Sequence, residues 1–263
     1  MTTRNYRTLK VRDEGAVRTI ALDVPARKNA LGPELINELL WALDDAKDDD
    51  AVRVVVLTGE GGAFSAGADL KALGGDGSDD AERLALKGDF ADLLLRFPAM
   101  GKPTIARVMG VAFGGGVGLV ASTDFAIAAE SAVLGTPEIK RGFFPMMIMA
   151  VLARVVPRRR LLEMMLLGEK LTATEAERVG LVSRVVPDAE LDRAVADLAT
   201  KLAALSPTAL GHGLRAYHRQ SDLALAEAVP ELRDALFALL GTEDAQEGIR
   251  AFFEKREPVW TGK

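Results

Sequence analysis

The sequence predicts an α/β fold in which mostly parallel strands alternate with crossover helices, followed by a helical C-terminal region. Two observations carry this. Short β-branched runs alternate with amphipathic stretches as far as residue 135, and from Pro145 onward the pattern turns mainly helical. Taken in order, TLKVRD and AVRTIALD flank Glu14-Gly15 and nearly alternate apolar with polar residues, as the arms of a hairpin do. VPARKNALGP is a loop punctuated by Pro and Gly. Leu35, Ile36, Leu39, Leu40 and Leu43 then recur at helical spacing, with Pro33 in the first turn, where a missing N–H costs nothing. VRVVVLTG reads as a buried strand.

Residues Ala81 to Phe97 are expected to form an amphipathic helix, preceded by the polar segment GGDGSDD, a candidate lid. KPTIARVMG gives a short strand, AFGGGVGLVAS opens a helix, and TDFAIAAES with VLG returns to strand. Beyond Pro145, FPMMIMAVLARVV, RRRLLEMMLLG, TATEAERVG and most of 188–254 are helical, interrupted by the strand-like LVSRVVP. The expected division is an α/β core over 1–195 and a helical region over 196–263.

Composition narrows the function. Hydrophobic residues make up 49% of 263 and charged residues 27%, which suits a globular core. A formal net charge of −5 argues against nucleic-acid or membrane partners, which need a basic surface. With no cysteine, disulfides, thiolate metal sites and cysteine nucleophiles are excluded. The only histidines, His212 and His218, offer little to a metal site or a Ser-His-Asp triad, so no metal is expected. The polar start MTTRNYRTLKVRDEG has no secretory apolar run and no stretch is long enough to span a bilayer, so the expected location is cytoplasmic.

Two loops follow buried strands and are each expected to open a helix: FSAGAD, Phe64 to Asp69, and FGGGVG, Phe113 to Gly118. N–H groups at a helix N-terminus lack intrahelical acceptors and carry partial positive charge. Two such loops meeting at one point would form an oxyanion hole for a carbonyl oxygen becoming an enolate. Taken singly, each loop reads equally as a tight strand-to-helix turn. Neither matches a nucleotide-binding glycine motif in register.

Four segments together resemble the crotonase superfamily, the enoyl-CoA hydratase/isomerase family: RKNALGPELINEL, VVVLTGEGGAFSAGADLK, GVAFGGGVGLVASTDFAIAAESAVLGTPEIKRGFFP and AFFEKREPVWTG. The resemblance covers nearly the whole chain. It implies a spiral of ββα repeats with a helical C-terminal trimerisation region, a homotrimer or homohexamer, and acyl-CoA thioester substrates. No separate cofactor is implied, coenzyme A being part of the substrate. It places the oxyanion N–H groups at Ala68 and Gly115, with Gly114 and Gly115 kept bare so that the thioester oxygen can approach.

Such a hole holds charge but moves no proton, so an acid-base group is still required. Members of the family that hydrate enoyl esters pair two glutamates. Glu138 stands at one of those positions, in LGTPEIKRG, and Gly118 stands at the other. Glu138 alone suffices for a proton shuttle between two carbons, so the resemblance implies enoyl isomerisation or hydration by one glutamate; decarboxylation, ring chemistry or a non-catalytic acyl-CoA binder are the alternatives. By itself, Glu138 also reads as a helix cap or an ion-pair partner of Lys140 or Arg141.

The resemblance further assigns Arg27 and Lys28 to coenzyme A phosphates, and Ala30, Ala66, Asp69 and Leu70 to the adenine and pantetheine groove. Lys71 is placed near the nucleotide, and Phe253 and Lys255 on a C-terminal helix that covers coenzyme A. Asp69 reads otherwise as the cap of a following helix. The acyl pocket is expected from Phe90, Leu94, Phe143, Met146 and Met147, residues that read equally as plain core, with space left beside Gly118 for a bulky acyl group or a water.

Overall fold

A computed structural model describes residues 4–71 and 84–263. Strands β1 (Leu9–Glu14) and β2 (Val17–Leu22) pair antiparallel, Leu9 opposite Leu22 and Glu14 opposite Val17, as the hairpin reading requires. From β2 the sheet continues in parallel through β3 (Val54–Gly59), β4 (Thr104–Val108), β6 (Phe125–Ala129) and β9 (Arg184–Val186). A second sheet has the order β5 (Val111–Phe113), β7 (Val133–Gly135), β8 (Lys170–Thr172). The short strand β8 has only three residues, too few to show a period in the sequence.

Alternation along the strands divides the core in two. Val55 and Leu57 of β3 join the larger cluster, with Leu39, Leu40 and Leu43 of helix α1 (Pro33–Asp48). Val54 and Val56 face the other way, onto Leu191, Val195, Ala199 and Leu202 of a helix spanning Leu191–Ala203. That helix runs across the expected 195/196 division and packs on the sheet.

The expected helix over 81–97 is corrected at its start: helix α2 is Phe90–Arg96. Asp89 caps it, accepting from the N–H groups of Ala91 (2.8 Å) and Asp92 (3.2 Å), while Asp92 accepts from the Asp89 N–H (2.9 Å). Residues 84–88 instead run beside α1. There Asn37 bonds Leu84 O, Ala85 O and the Lys87 N–H, and the Trp41 indole donates to Ala85 O. GGDGSDD and 81–83 lie outside the described residues.

The remaining helices are α3 (Gly115–Ser122), α4 (Met146–Leu152), α5 (Arg158–Leu167), α6 (Ala173–Arg178), α7 (Leu191–Ala203), α8 (Pro207–Gln220), α9 (Leu225–Leu240) and α10 (Glu243–Glu254). Among the described residues, no helix is long and apolar enough to cross a membrane.

Candidate active site

The two glycine loops are locked together by backbone bonds, Ser65 N–H to Val111 O (3.0 Å) and Phe113 N–H to Ser65 O (2.9 Å). Glycine permits the approach. A Cβ on Gly67 (φ +90°) would stand 2.7 Å from Phe113 O, and one on Gly116 would stand 2.8 Å from Ser65.

Ala68 is held from the side. Leu31 donates to Gly67 O (2.7 Å) and accepts from the Asp69 N–H (3.1 Å). Because Leu31 takes both bonds flanking Ala68, as a parallel bridge does, the Ala68 N–H faces away from that ladder. Gly115 begins α3, and its N–H is one of the donors that a helix leaves over. Neither N–H has a backbone acceptor among the described residues. The first loop, however, opens no helix as far as Lys71, so only the Gly115 N–H gains from a helix N-terminus.

Side chains at the two glycines would also meet the protein's own atoms. A Cβ at Gly114 (φ +53°) would lie 2.7 Å from Glu138 Oε1, and one at Gly115 would lie 2.8 Å from Leu31 Cδ1 and 3.2 Å from Phe90 Cζ. A side chain at either position would have to displace the Glu138 carboxyl or the Leu31 and Phe90 side chains.

Glu138 is thereby placed against Gly114, one residue from the Gly115 N–H. It rides on a 3-10 turn, Pro137–Arg141, that begins after the buried Thr136, whose hydroxyl donates to Met164 O of α5 (2.9 Å). Its Oε2 is buried and takes no hydrogen bond. Burial pushes the carboxyl above the ordinary glutamate value, against the opposing pull of its own backbone N–H and of Arg141. A desolvated carboxylate with an unused oxygen is a stronger base than one at the surface.

Gly118 does not open onto free space. Its Cβ would meet Ile148 Cγ2 at 2.3 Å, and Leu94 Cδ2 lies 3.8 Å away. The expectation of room for a water or a bulky acyl group at Gly118 is overturned by Ile148, which is itself buried.

The remaining expected residues divide. Leu94 is buried and Phe90 half-buried, whereas Phe143, Met146 and Met147 are exposed, at 55%, 65% and 51%, and so are not plain core within this chain. Arg27 is ion-paired to the buried Asp69. Asp69 also accepts from the Lys71 N–H (3.2 Å), so it fastens a turn and an arginine, and caps no helix within the described residues. Lys28, Leu70 and Lys71 are exposed, and Ala30 and Ala66 half-buried, Ala66 N–H donating to Lys28 O (2.8 Å). Phe253 and Lys255 are exposed at the end of α10, which packs chiefly on α8 and α9.

Asn29 is the residue that the motifs missed. It is fully buried at φ +55°, donates to Glu60 O (2.9 Å) and Ala63 O (2.7 Å), and accepts from the Val24 N–H (2.9 Å). Its backbone O accepts from Ser65 Oγ (2.7 Å), tying RKNA to the first glycine loop. The available signal was an Asn within a Gly/Pro loop, since Asn tolerates the left-handed region. Among the described residues, no group of three or more His, Asp or Glu is placed to hold a metal ion.

Spiral α/β core, paired glycine loops and helical tail define a crotonase-fold enzyme. The family model for enoyl-CoA hydratase/isomerase matches residues 12–263. A "probable enoyl-CoA hydratase" of Mycobacterium bovis is 36% identical over 257 residues, 97% of this chain and 98% of that one. The rat protein "enoyl-CoA hydratase domain-containing protein 3, mitochondrial" is 34% identical over 257 residues, 97% of this chain and 85% of that one. The crystal structure of its human counterpart superposes with a TM-score of 0.89 at 34% identity, covering 97% of this chain and all of that one. The chain belongs to the enoyl-CoA hydratase/isomerase family and is an acyl-CoA enzyme of that type.

Proposed function

We propose that the enzyme isomerises 3-enoyl-CoA to 2-enoyl-CoA esters, with Glu138 as a lone proton shuttle. The observation that carries this reading is the Glu138 carboxyl, whose Oε2 is buried and unbonded, set against Gly114 and so next to the Gly115 N–H, which has no backbone acceptor among the described residues. Glu138 takes a proton from C2 of the 3-enoyl thioester. The C2–H electron pair moves into the thioester, and the resulting dienolate oxygen accepts hydrogen bonds from Ala68 and Gly115. The same carboxyl then returns the proton to C4, leaving the double bond between C2 and C3. Coenzyme A enters as part of the substrate, with Arg27, Lys28, Lys71, Phe253 and Lys255 as its proposed contacts, and no further cofactor takes part. The working unit is proposed to be a homotrimer or a homohexamer.

Hydration of 2-enoyl esters by one glutamate is the second reading, favoured by the hydratase names of the relatives. Turnover of a short 3-enoyl-CoA and its trans-2-enoyl isomer, followed separately by mass, tells the two apart. Isomerisation without water gain is expected. Glu138→Gln should lower it by about 10²- to 10⁴-fold, the usual contribution of a positioned base, while ester binding persists. Unchanged turnover in that variant overturns the assignment.

A further inference from the structure

We propose that Ile148 determines the reaction outcome by filling, with hydrocarbon, the ground beside Gly118 on which a second carboxylate or a water would otherwise stand. The inference rests on the isomerase reading above and supplies its physical reason.

Gly115 and Gly118 are three residues apart on α3 and so share a face. The atoms nearest that face are apolar at both positions: Leu31 and Phe90 over Gly115, Ile148 and Leu94 over Gly118. The closest is Ile148, whose Cγ2 would lie 2.3 Å, and Cβ 3.0 Å, from any Cβ at position 118. Real Cβ atoms do not approach so closely, so a side chain at 118 requires Ile148 or the backbone that carries it to shift. Ile148 has little freedom to do so. It is β-branched, hence stiff at χ1, and is 3% exposed within the main core. Its neighbours Met146, Met147 and Met149 are exposed, so Ile148 is the inward member of the MMIM run.

Water gains no foothold there either. A buried water needs two to four polar partners. The Gly118 N–H already donates to Gly114 O (3.1 Å), and its carbonyl already accepts from Ser122 Oγ (2.8 Å). The segment that brings Glu138 also brings Ile148, and the Phe143 N–H to Glu138 O bond (3.2 Å) folds the intervening turn back on the glutamate's backbone. On this proposal a proton taken by Glu138 returns to substrate carbon faster than it exchanges with solvent.

The test has two arms. In the first, wild type, Ile148→Val and Ile148→Ala isomerise a 3-enoyl-CoA in deuterated water, and deuterium in the product is read by mass. Wild type should return mostly the substrate's own protium, and deuterium should rise at least several-fold as the side chain is shortened. Full deuteration by wild type, unchanged in Ile148→Ala, overturns the proposal.

The second arm needs no turnover. Gly118→Ala should lower the melting temperature, and adding Ile148→Ala should cost less than it does in the wild-type background. Strict additivity overturns the steric coupling. On trans-2-enoyl-CoA, Gly118→Glu/Ile148→Ala should hydrate at least tenfold faster than Gly118→Glu, and equal rates count against Ile148. If wild type turns over neither ester while the melting coupling holds, it is the isomerase reading that has failed, and Ile148 is then a packing residue only.

Discussion

Glu138 ties stability to chemistry through one proton. Burial raises its folded pKa above the unfolded value, so the folded state holds the proton more tightly than the unfolded chain. The ionised carboxylate therefore costs stability at neutral pH, and the cost disappears once pH falls below the unfolded value. Glu138→Gln, neutral at every pH, should melt at a higher temperature than wild type near pH 7 and at about the same temperature near pH 4. Thermal melts across that range check it, and a lower melting temperature at pH 7 would show the carboxylate to be stabilising. Activity needs the base ionised, so kcat/KM should fall with acidity along a limb centred above the ordinary glutamate value. Gly114→Ala strikes the same contact from the other side. Its methyl would press on Glu138 Oε1 and force a left-handed residue to carry a Cβ, at about 1–3 kcal/mol of stability and with loss of turnover. Turnover retained by that variant would mean that the carboxylate can work from another position.

Asp244 shows how a single carboxylate assembles elements. It is buried at the start of α10 and accepts from Ser206 Oγ at the cap of α8 (2.7 Å), from the Thr261 N–H (2.8 Å) and from the Gly262 N–H (3.1 Å). Burial alone would raise its pKa, but the bonds from Ser206, Thr261 and Gly262 outweigh it and hold the carboxyl below the usual aspartate value. Its contribution is therefore present above the unfolded pKa and lost as pH falls through the folded one. Asp244→Ala should cost about 3 kcal/mol near pH 7, from lost charge-assisted bonds and stranded donors, with the gap from wild type narrowing in acid. Denaturant titrations of both proteins at pH 7 and pH 3 measure it. None of this was legible in the sequence, because the partners come from separate stretches and share no period. The hairpin, α1, β3 and the paired glycine loops were legible, since each is written in local alternation, helical spacing or turn residues. The start of α2 was misread because Ala81 to Phe97 keeps an apolar rhythm while Asp89, a polar cap inside it, decides where the helix begins. The plug at Gly118 was illegible for a different reason: glycine announces an empty Cβ position but not which distant side chain fills it.

At the scale of the molecule, the helical region carries more apolar surface than one chain covers. Along α9, Leu225, Val229, Leu232, Leu236 and Leu240 recur at spacings of three and four, and all are exposed, Leu225 at 80%. Ala228 is the buried residue of that helix, and Ile249, Phe252 and Phe253 of α10 add further exposed apolar groups. An apolar stripe of this length belongs against a partner, since burying one Leu or Phe side chain is worth about 1.5–3 kcal/mol. A second copy of the chain is the expected partner, in a closed ring of three or a pair of such rings. Leu232→Asp/Leu236→Asp would bury charge at that contact, and sedimentation should show wild type as three or six chains and the variant as a single chain. The same pair of proteins tests the reach of the tail. Phe253 and Lys255 end α10 exposed, on a helix that packs chiefly on α8 and α9. If they close over coenzyme A in a neighbouring subunit, the dissociated variant should bind a CoA thioester at least tenfold more weakly while each chain keeps its fold by circular dichroism. Undiminished affinity in a folded single chain would mean that each site is complete within its own subunit and that the apolar stripe serves assembly alone.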